Sequence, residues 1–481
     1  MGTIWIKDFQ GGLDVRRLPE TSPGGTLMRA RDVHLSRGKE LEQRADFIEV
    51  YDLPAALTKS LAAVPGGLVV FGHQATPGGI PAGVTYQRLQ HPSGEALSRV
   101  PYFTRYRSKI FAVGEFADGS RYIFYDGARV TDVNAPPNAV GSGRPAVLLT
   151  NSEKMFVGSG ENLFFSAVGA PTDFGAGTGA GDGVIVMSTH AQGSEALTGL
   201  ARYDEYVAVF GRRNIQTWFF DPDPALSKQA QVLEETGCIA PRSVTQFGDG
   251  DVFYLDRSGI RSLRARDSSN SAATSDIGSA VDPLVTSQID TLGETAAAVA
   301  IGLIEPRDGR FWTVLDDTIY VFSYFAGSRV SAWTEYKPGF SVTDAVVWSD
   351  RVWLRSGDKI YVYGALPDQP FQYSDGVGEA WLPYLDADQP ARAKHLVGID
   401  VSLRGTWDVA LATDPNNQNA EDRAATVDQT TFGLDRVPVA GIGNHISVRF
   451  RAKRPESTVM PAKLGSVLLH FERDAEEDSS S

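Results

Sequence analysis

The chain has 481 residues, 42% of them hydrophobic and 22% charged, which allows two or three folded domains with a large buried core. A net charge of −14 argues against non-specific nucleic-acid binding through a basic surface, and the single cysteine, Cys238, rules out an intramolecular disulfide. No run of about 18 apolar residues is present to span a membrane, and the opening MGTIWIKDFQGG lacks the basic region and apolar run of a signal peptide. Without disulfides, assembly in a reducing cytoplasm is the simpler expectation.

Residues 1–50 differ from the rest. Apolar Trp5, Ile6, Phe9, Leu13 and Leu18 alternate with charged residues, and Gly11-Gly12 and Pro23-Gly24-Gly25 break the run. Too few apolar positions occur for a separate core, so the segment is expected to be an extended arm that docks on the main body or on a neighbour. Trp5, Ile6, Phe9, Arg16 and Arg17 are its candidate docking residues. The competing expectation is an ordinary first strand of the following domain.

From residue 51 a hairpin unit recurs. Two short apolar runs flank a turn, as in Val207–Phe210 and Ile215–Phe220 around Gly211-Arg212-Arg213-Asn214, and Val252–Leu255 and Ile260–Leu263 around Asp256-Arg257-Ser258-Gly259. Val69, Phe111, Phe156, Ala208, Phe253, Thr313 and Trp353 mark seven such units, at a period of roughly 40 to 60 residues. Apolar runs precede several of them, at 196–200, 243–247, 298–301 and 345–348, and are placed innermost. Hairpins half-buried on both faces need neighbours on both sides, and a closed β-propeller supplies them. The expected fold is therefore all-β, with a propeller of six or seven blades over 51–365. The glycine-rich 175–183 and the Ser/Ala/Asp-rich 267–282 interrupt the repeat as loops, and 283–292 is placed in a short helix. After the linker Pro367–Pro370, cleaner alternation at 395–403, 407–411, 445–450 and 464–471 predicts a C-terminal β-sandwich over 366–472. An acidic, disordered tail, 473–481, follows.

Catalytic signatures are lacking. There is no HExxH, GxSxG or P-loop, and GAGTGAGDG has no βαβ context for a dinucleotide. Asp414-x-Asn416-x-Gln418 fails as a calcium loop, because Asn419 and Ala425 stand where glycine and a bidentate acid are required. Asp316-Asp317, Asp221 with Asp223, and Glu234-Glu235 sit at turns, where acids are common in any case. No catalytic, metal or cofactor site is expected. The basic clusters Arg105-Tyr106-Arg107-Lys109 and Arg212-Arg213 are the candidates for a rim or lumen that touches phosphate, and Arg212-Arg213 is the best displayed. Trp218, Trp312, Trp333 and Trp353 could stack on sugars at a rim, but they lie in apolar runs that favour core packing.

Three stretches carry a resemblance: Ile215-Gln216-Thr217-Trp218, then Glu235 to Val244 around Gly237-Cys238-Ile239-Ala240-Pro241-Arg242-Ser243, then Val252 to Ile260. They are similar to the central blades of tail nozzle (packaged-DNA stabilisation, or tail-tube) proteins of short-tailed bacteriophages. Gly11-Gly12-Leu13-Asp14-x-Arg16 and Leu41 to Phe47 resemble the way such proteins begin. The resemblance covers pieces of residues 9–265. It implies a structural protein of the virion tail, assembled in the host cytoplasm into a homo-hexameric ring below the portal and adaptor proteins. Such a ring retains packaged double-stranded DNA and conducts it at ejection, without sequence-specific contact. The acidic composition predicts an acidic or mixed lumen. No large insertion for tail fibres or spikes is visible, a departure from the family that puts fibre attachment in doubt. The alternative is a propeller that binds glycans or attaches the virion to its host.

Overall fold

A computed structural model describes residues 2–130, 145–174, 181–190, 195–248, 250–264, 276–432 and 436–473. Seven small sheets follow one another along the chain. Blade 1 comprises Lys59–Val64, Gly67–Gly72 and Val84–Arg88, and blade 2 comprises Leu97–Tyr106, Lys109–Phe116, Arg121–Tyr125 and Ala128–Arg129. Blade 3 is built from Pro145–Asn151, Lys154–Ser159, Asn162–Phe165 and Gly183–Val186, and blade 4 from Gly199–Tyr203, Tyr206–Phe210, Asn214–Phe219 and Lys228–Glu234. Blade 5 has Thr245–Gln246, Val252–Asp256 and Gly259–Ser262, and blade 6 has Ile301–Glu305, Arg310–Leu315, Thr318–Phe325 and Val330–Tyr336. Blade 7 takes Asp344–Trp348, Arg351–Ser356 and Lys359–Tyr363 from late in the chain, and Phe47–Asp52 from before blade 1.

The first strand of every blade lies against the first strand of the next, and blade 7 returns to blade 1, so the ring is closed. The protein is a seven-bladed β-propeller. All seven marker residues fall on the second strand of their blades. Separate apolar clusters fill the gaps between successive blades. Ala62, Phe71 and Phe116 pack between blades 1 and 2, for example, and Trp312, Tyr336 and Leu354 between blades 6 and 7. Trp353, fully buried, joins Leu61 and Val70 across the closing gap between blades 7 and 1. Burying such a side chain stabilises by about 1.5–3 kcal/mol, so each gap contributes as a small core of its own. Blade 5 has three strands among the described residues. The helix Asp282–Leu292 packs on its third strand and buries Val285 and Ile289. Pro283 in its first turn and Gly293 (φ 79°) at its end delimit it, near the expected 283–292. The run expected as an inner strand at 298–301 is a strand only from Ile301; the short helix Glu294–Ala297 precedes it.

The C-terminal region is a β-sandwich, but it is not built from 366–472 alone. One sheet runs Gly441–Gly443, Lys394–Arg404, Lys463–Arg473, Leu41–Gln43, Val33–Leu35, with Gly2–Ile6 also paired to Lys463–Arg473. The other runs Arg29–Arg31, Glu379–Trp381, Ser447–Arg454, Thr406–Ala412, Asp422–Val427. Arg29–Arg31 also bridges to the last strand of blade 6 through Arg31 opposite Glu335. The docking arm expected at 1–50 is therefore corrected. Its first part is structural to the sandwich, and its last part, Phe47–Asp52, closes the propeller. Ile6 and Phe9 are fully buried in the core with Leu41, Trp407 and Phe450, so neither is free to dock. Arg16 pairs with Asp14 at 2.6 Å and reaches Ser279. Arg17 is exposed, and Trp5 is 60% exposed with the Lys7 ammonium 4.8 Å from its ring centre. The loop at 175–180 and the stretch 474–481 of the acidic tail lie outside the described residues.

Candidate functional site in the propeller channel

Residues 235–243 carry the chain from the rim of blade 4 into the channel. The Cys238 amide donates to the Gly211 carbonyl at 2.9 Å, and the Gly237 amide donates to Asp256 Oδ2 at 3.0 Å. A Cβ on Gly237 would lie 2.4 Å from the Arg212 carbonyl carbon, so only glycine fits this crossing. Ser243 Oγ donates to the Ala240 carbonyl (2.7 Å) and accepts from the Leu255 amide (2.9 Å), which closes the corner around Pro241. Cys238 is fully buried, and burial pushes its thiol up to about 12, the environment of an inert packing residue.

The corner delivers Arg242 to the channel. Its guanidinium pairs with Asp344 of blade 7, donates to the Ala345 carbonyl and lies 4.9 Å from the Phe103 ring centre of blade 2. Ser60 of blade 1 donates to the same Asp344 carboxylate at 2.8 Å. Arg355, itself buried, donates to the carbonyls of Ser60, Thr58 and Gly357 at 2.7 Å each. Blades 1, 2, 5 and 7 thus meet in one polar crossbar. Above it, at the ends where the first strands begin, opens a cavity of about 960 Å³. Below it lies one of about 350 Å³, bounded by Ala63, Tyr102, Phe103, Thr104, Arg105, Leu303 and Val347. Arg242 lines both.

The wall of the upper cavity is charged. Arg212 pairs with Glu294 at 3.1 Å, and Arg99 and Arg121 pair with one carboxylate, Glu115, at 3.0 and 2.6 Å. Burial alone would raise the Glu115 carboxyl; the two arginines outweigh it and hold the group below its ordinary value. Lys59 lines the same cavity and has no carboxylate partner among the described residues.

The four basic candidates separate by rim. Arg105 and Arg107 lie at the first-to-second-strand turn of blade 2, where Arg107 pairs with Glu153 at 2.9 Å. Arg212 and Arg213 lie at the second-to-third-strand turn of blade 4, which is the opposite end of a strand. Tyr106, interleaved with the first cluster, is buried and hydrogen-bonded to Glu153, so it is not displayed for stacking. Trp218, Trp312, Trp333 and Trp353 are 3, 0, 2 and 0% exposed and are core residues. Among the acids, Asp317 pairs with Lys337 at 3.1 Å, and Asp223 caps the turn at 224–226. Asp414 bonds the Asn416 amide within its own loop. Among the described residues no group of three or more metal-ligating side chains comes together, and no helix is long and apolar enough to cross a membrane. Sequence reasoning missed Arg242 and Asp344. The available signal was the arginine inside the Gly237–Ser243 motif, the one charged side chain in an otherwise small and apolar string.

A buried polar seam joins the propeller to the sandwich. His34 Nδ1 lies 2.7 Å from the Tyr336 hydroxyl, and its Nε2 lies 3.6 Å from Glu42, which Lys463 holds at 2.5 Å. Arg310 donates to the Leu35 carbonyl and pairs with Asp308 at 2.7 Å. Burial, with the Arg310 charge, pulls the His34 imidazole down to about 4. Burial alone would raise Glu42; His34 and Lys463 outweigh it and hold the carboxyl at about 2.

No family model matches the chain, and no curated protein matches it in sequence. Solved structures of propeller proteins resemble it weakly. The Neurospora crassa Pan2 WD40 domain aligns with 70% of this chain and 99% of its own at 11% identity (TM-score 0.37). YCF48 bound to D1 peptide aligns with 68% and 100% at 11% identity (TM-score 0.38). The exo-β-1,3-galactanase of Phanerochaete chrysosporium aligns with 79% and 98% at 13% identity (TM-score 0.29). The propeller itself rests on the sheet order and closed ring of this chain.

Proposed function

We propose that the chain is a structural subunit of a short phage tail, one of six copies in a nozzle ring below the portal and adaptor, with no catalytic role. The observation that supports the reading is a coincidence of place. The string most similar to tail nozzle proteins, Gly237–Ser243, is the corner that joins blades 4 and 5 and carries Arg242 across the channel. Because that crossbar bridges the channel of the subunit, DNA in this reading runs through a lumen formed between copies. Immunogold electron microscopy on virions, with antibody against this chain, tests it. Label at the tail shaft or tip is expected; label on fibres, or none on the particle, overturns it.

One observation favours the second reading, a virion propeller that binds host glycans. The cavity of about 960 Å³ sets hydroxyls and charges among apolar walls, and such polar groups orient a ligand. The four buried tryptophans leave it no aromatic stacking platform. A glycan array probed with the purified chain decides: saturable binding to one glycan class would favour this reading over the nozzle.

A further inference from the structure

The crossbar divides the channel into two spaces of different chemistry. The upper one is walled by both signs, with Glu294, Asp316, Asp344 and Asp358 as its acids. The lower one, of about 350 Å³, lies toward the ends of the first strands of blades 1, 2, 6 and 7, and no acid among the described residues lines it. Two arginines do. Arg242 is neutralised by Asp344. Arg105 is exposed and has no carboxylate partner among the described residues. Tyr102 and Thr104, on the same strand, bring hydroxyls without a hydrogen-bond partner among the described residues. Leu303 of blade 6 and Val346 and Val347 of blade 7 add aliphatic wall, and Val347 is 40% exposed.

This combination selects a ligand. One uncompensated cation matches one negative charge, and an arginine fork fits a carboxylate. It does not match the dense charge of a nucleic acid, which takes several cations at once. The two hydroxyls can donate to the same anion. The aliphatic wall favours an apolar body and costs a fully polar one its hydration. Ligand pockets span about 300–1,000 Å³, so a cavity at the low end of that range takes a small molecule or a single residue.

We propose that the lower cavity binds a monocarboxylate with a small aliphatic body. Arg105 holds the carboxylate with Tyr102 and Thr104, and the body lies against Leu303, Val346 and Val347. The site is separate from the cavity above the crossbar, and the inference depends on neither the tail-nozzle reading nor the glycan reading.

Isothermal titration of the full chain at neutral pH tests it, with hexanoate, hexan-1-ol and hexylammonium as probes of one body and three head groups. Saturable binding of hexanoate is expected, with the alcohol and the ammonium each weaker by about tenfold or more. Arg105→Gln should weaken hexanoate about tenfold, and so should Val347→Asp, which sets an acid in the wall at an exposed position where folding is not at stake. Arg107→Gln, on the same rim but outside the cavity, should leave binding unchanged. N-acetyl-leucine carries the same chemistry as a peptide C-terminus; if it binds more tightly than hexanoate the acid is a chain end, and if less tightly it is a free acid. No saturable binding of either acid overturns the proposal. So does equal binding of hexanoate and hexan-1-ol, or binding indifferent to both Arg105→Gln and Val347→Asp.

Discussion

Arg242 and Asp344 show how much one pair can carry. Their side chains are 12 and 5% exposed, and Asp344 also takes a hydrogen bond from Ser60. Removing only the arginine leaves a nearly buried carboxylate without its counter-charge, at a cost of about 3 kcal/mol. Arg242→Leu is therefore expected to lower the guanidinium unfolding midpoint clearly, and Arg242→Leu/Asp344→Asn to recover part of the loss. A double mutant no more stable than Arg242→Leu would show that the pair does not act as a unit. Cys238 gives a second expectation at this scale. Buried, with its thiol pushed up to about 12, it should resist a thiol reagent in the native protein and react fully in denaturant. Rapid labelling without denaturant would contradict the corner as described. The motif around both residues is plain in the sequence, yet the role of Arg242 is not, because its partners lie about a hundred or more positions away in blades 2 and 7.

The hairpins of the propeller are legible because their pairing is local: each second strand meets its neighbours across turns of a few residues, and the seven markers fall into place. The N-terminal segment is opaque for the converse reason. Gly2–Ile6 pairs with 467–471, Leu41 with Leu464, and Phe47–Asp52 with 359–363, and no local pattern reports pairings at such separation. The buried fate of Ile6 and Phe9 is invisible for the same reason. Deleting residues 1–52 separates the two readings. A docking arm could be removed with the body intact; here the deletion opens blade 7 and strips strands from both sandwich sheets, so loss of soluble protein or of cooperative unfolding is expected. The seam at His34 adds a pH dependence. Its imidazole titrates near 4 when folded and near 6.5 when unfolded, so the unfolded chain binds the proton first and stability falls as pH drops from about 6.5 to 4. Glu42, at about 2 rather than 4.5, extends the loss in the same direction below pH 4.5. Thermal midpoints measured against pH should slope down through both windows. In His34→Gln the slope between 6.5 and 4 should flatten, and an unchanged slope would remove His34 from the account.

At the scale of the molecule, charge and topology lead to one expectation about DNA. The net charge of −14 is spread over a surface on which several arginines are engaged: Arg107 with Glu153, Arg212 with Glu294, Arg423 with Asp408. An arginine already held by a carboxylate offers a phosphate little, and binding a polyanion would mean displacing that partner while working against the net field. The channel of the subunit gives no passage, since a single arginine spans it from blade 5 to blade 7. On the proposed nozzle reading, a ring of such subunits would surround DNA without gripping it. The purified chain is therefore expected not to retard duplex DNA in a gel at physiological salt, and to do so weakly if at all near 50 mM. Retention at physiological salt that falls steeply with added salt would reveal a basic track formed on assembly, and would replace the acidic or mixed lumen by a phosphate-binding one. Substituting Arg212 and Arg213 together by glutamate would then locate it: lost retention would place the track on the upper rim of blade 4, and intact retention would send the search to Arg105 and Arg107 on the other side.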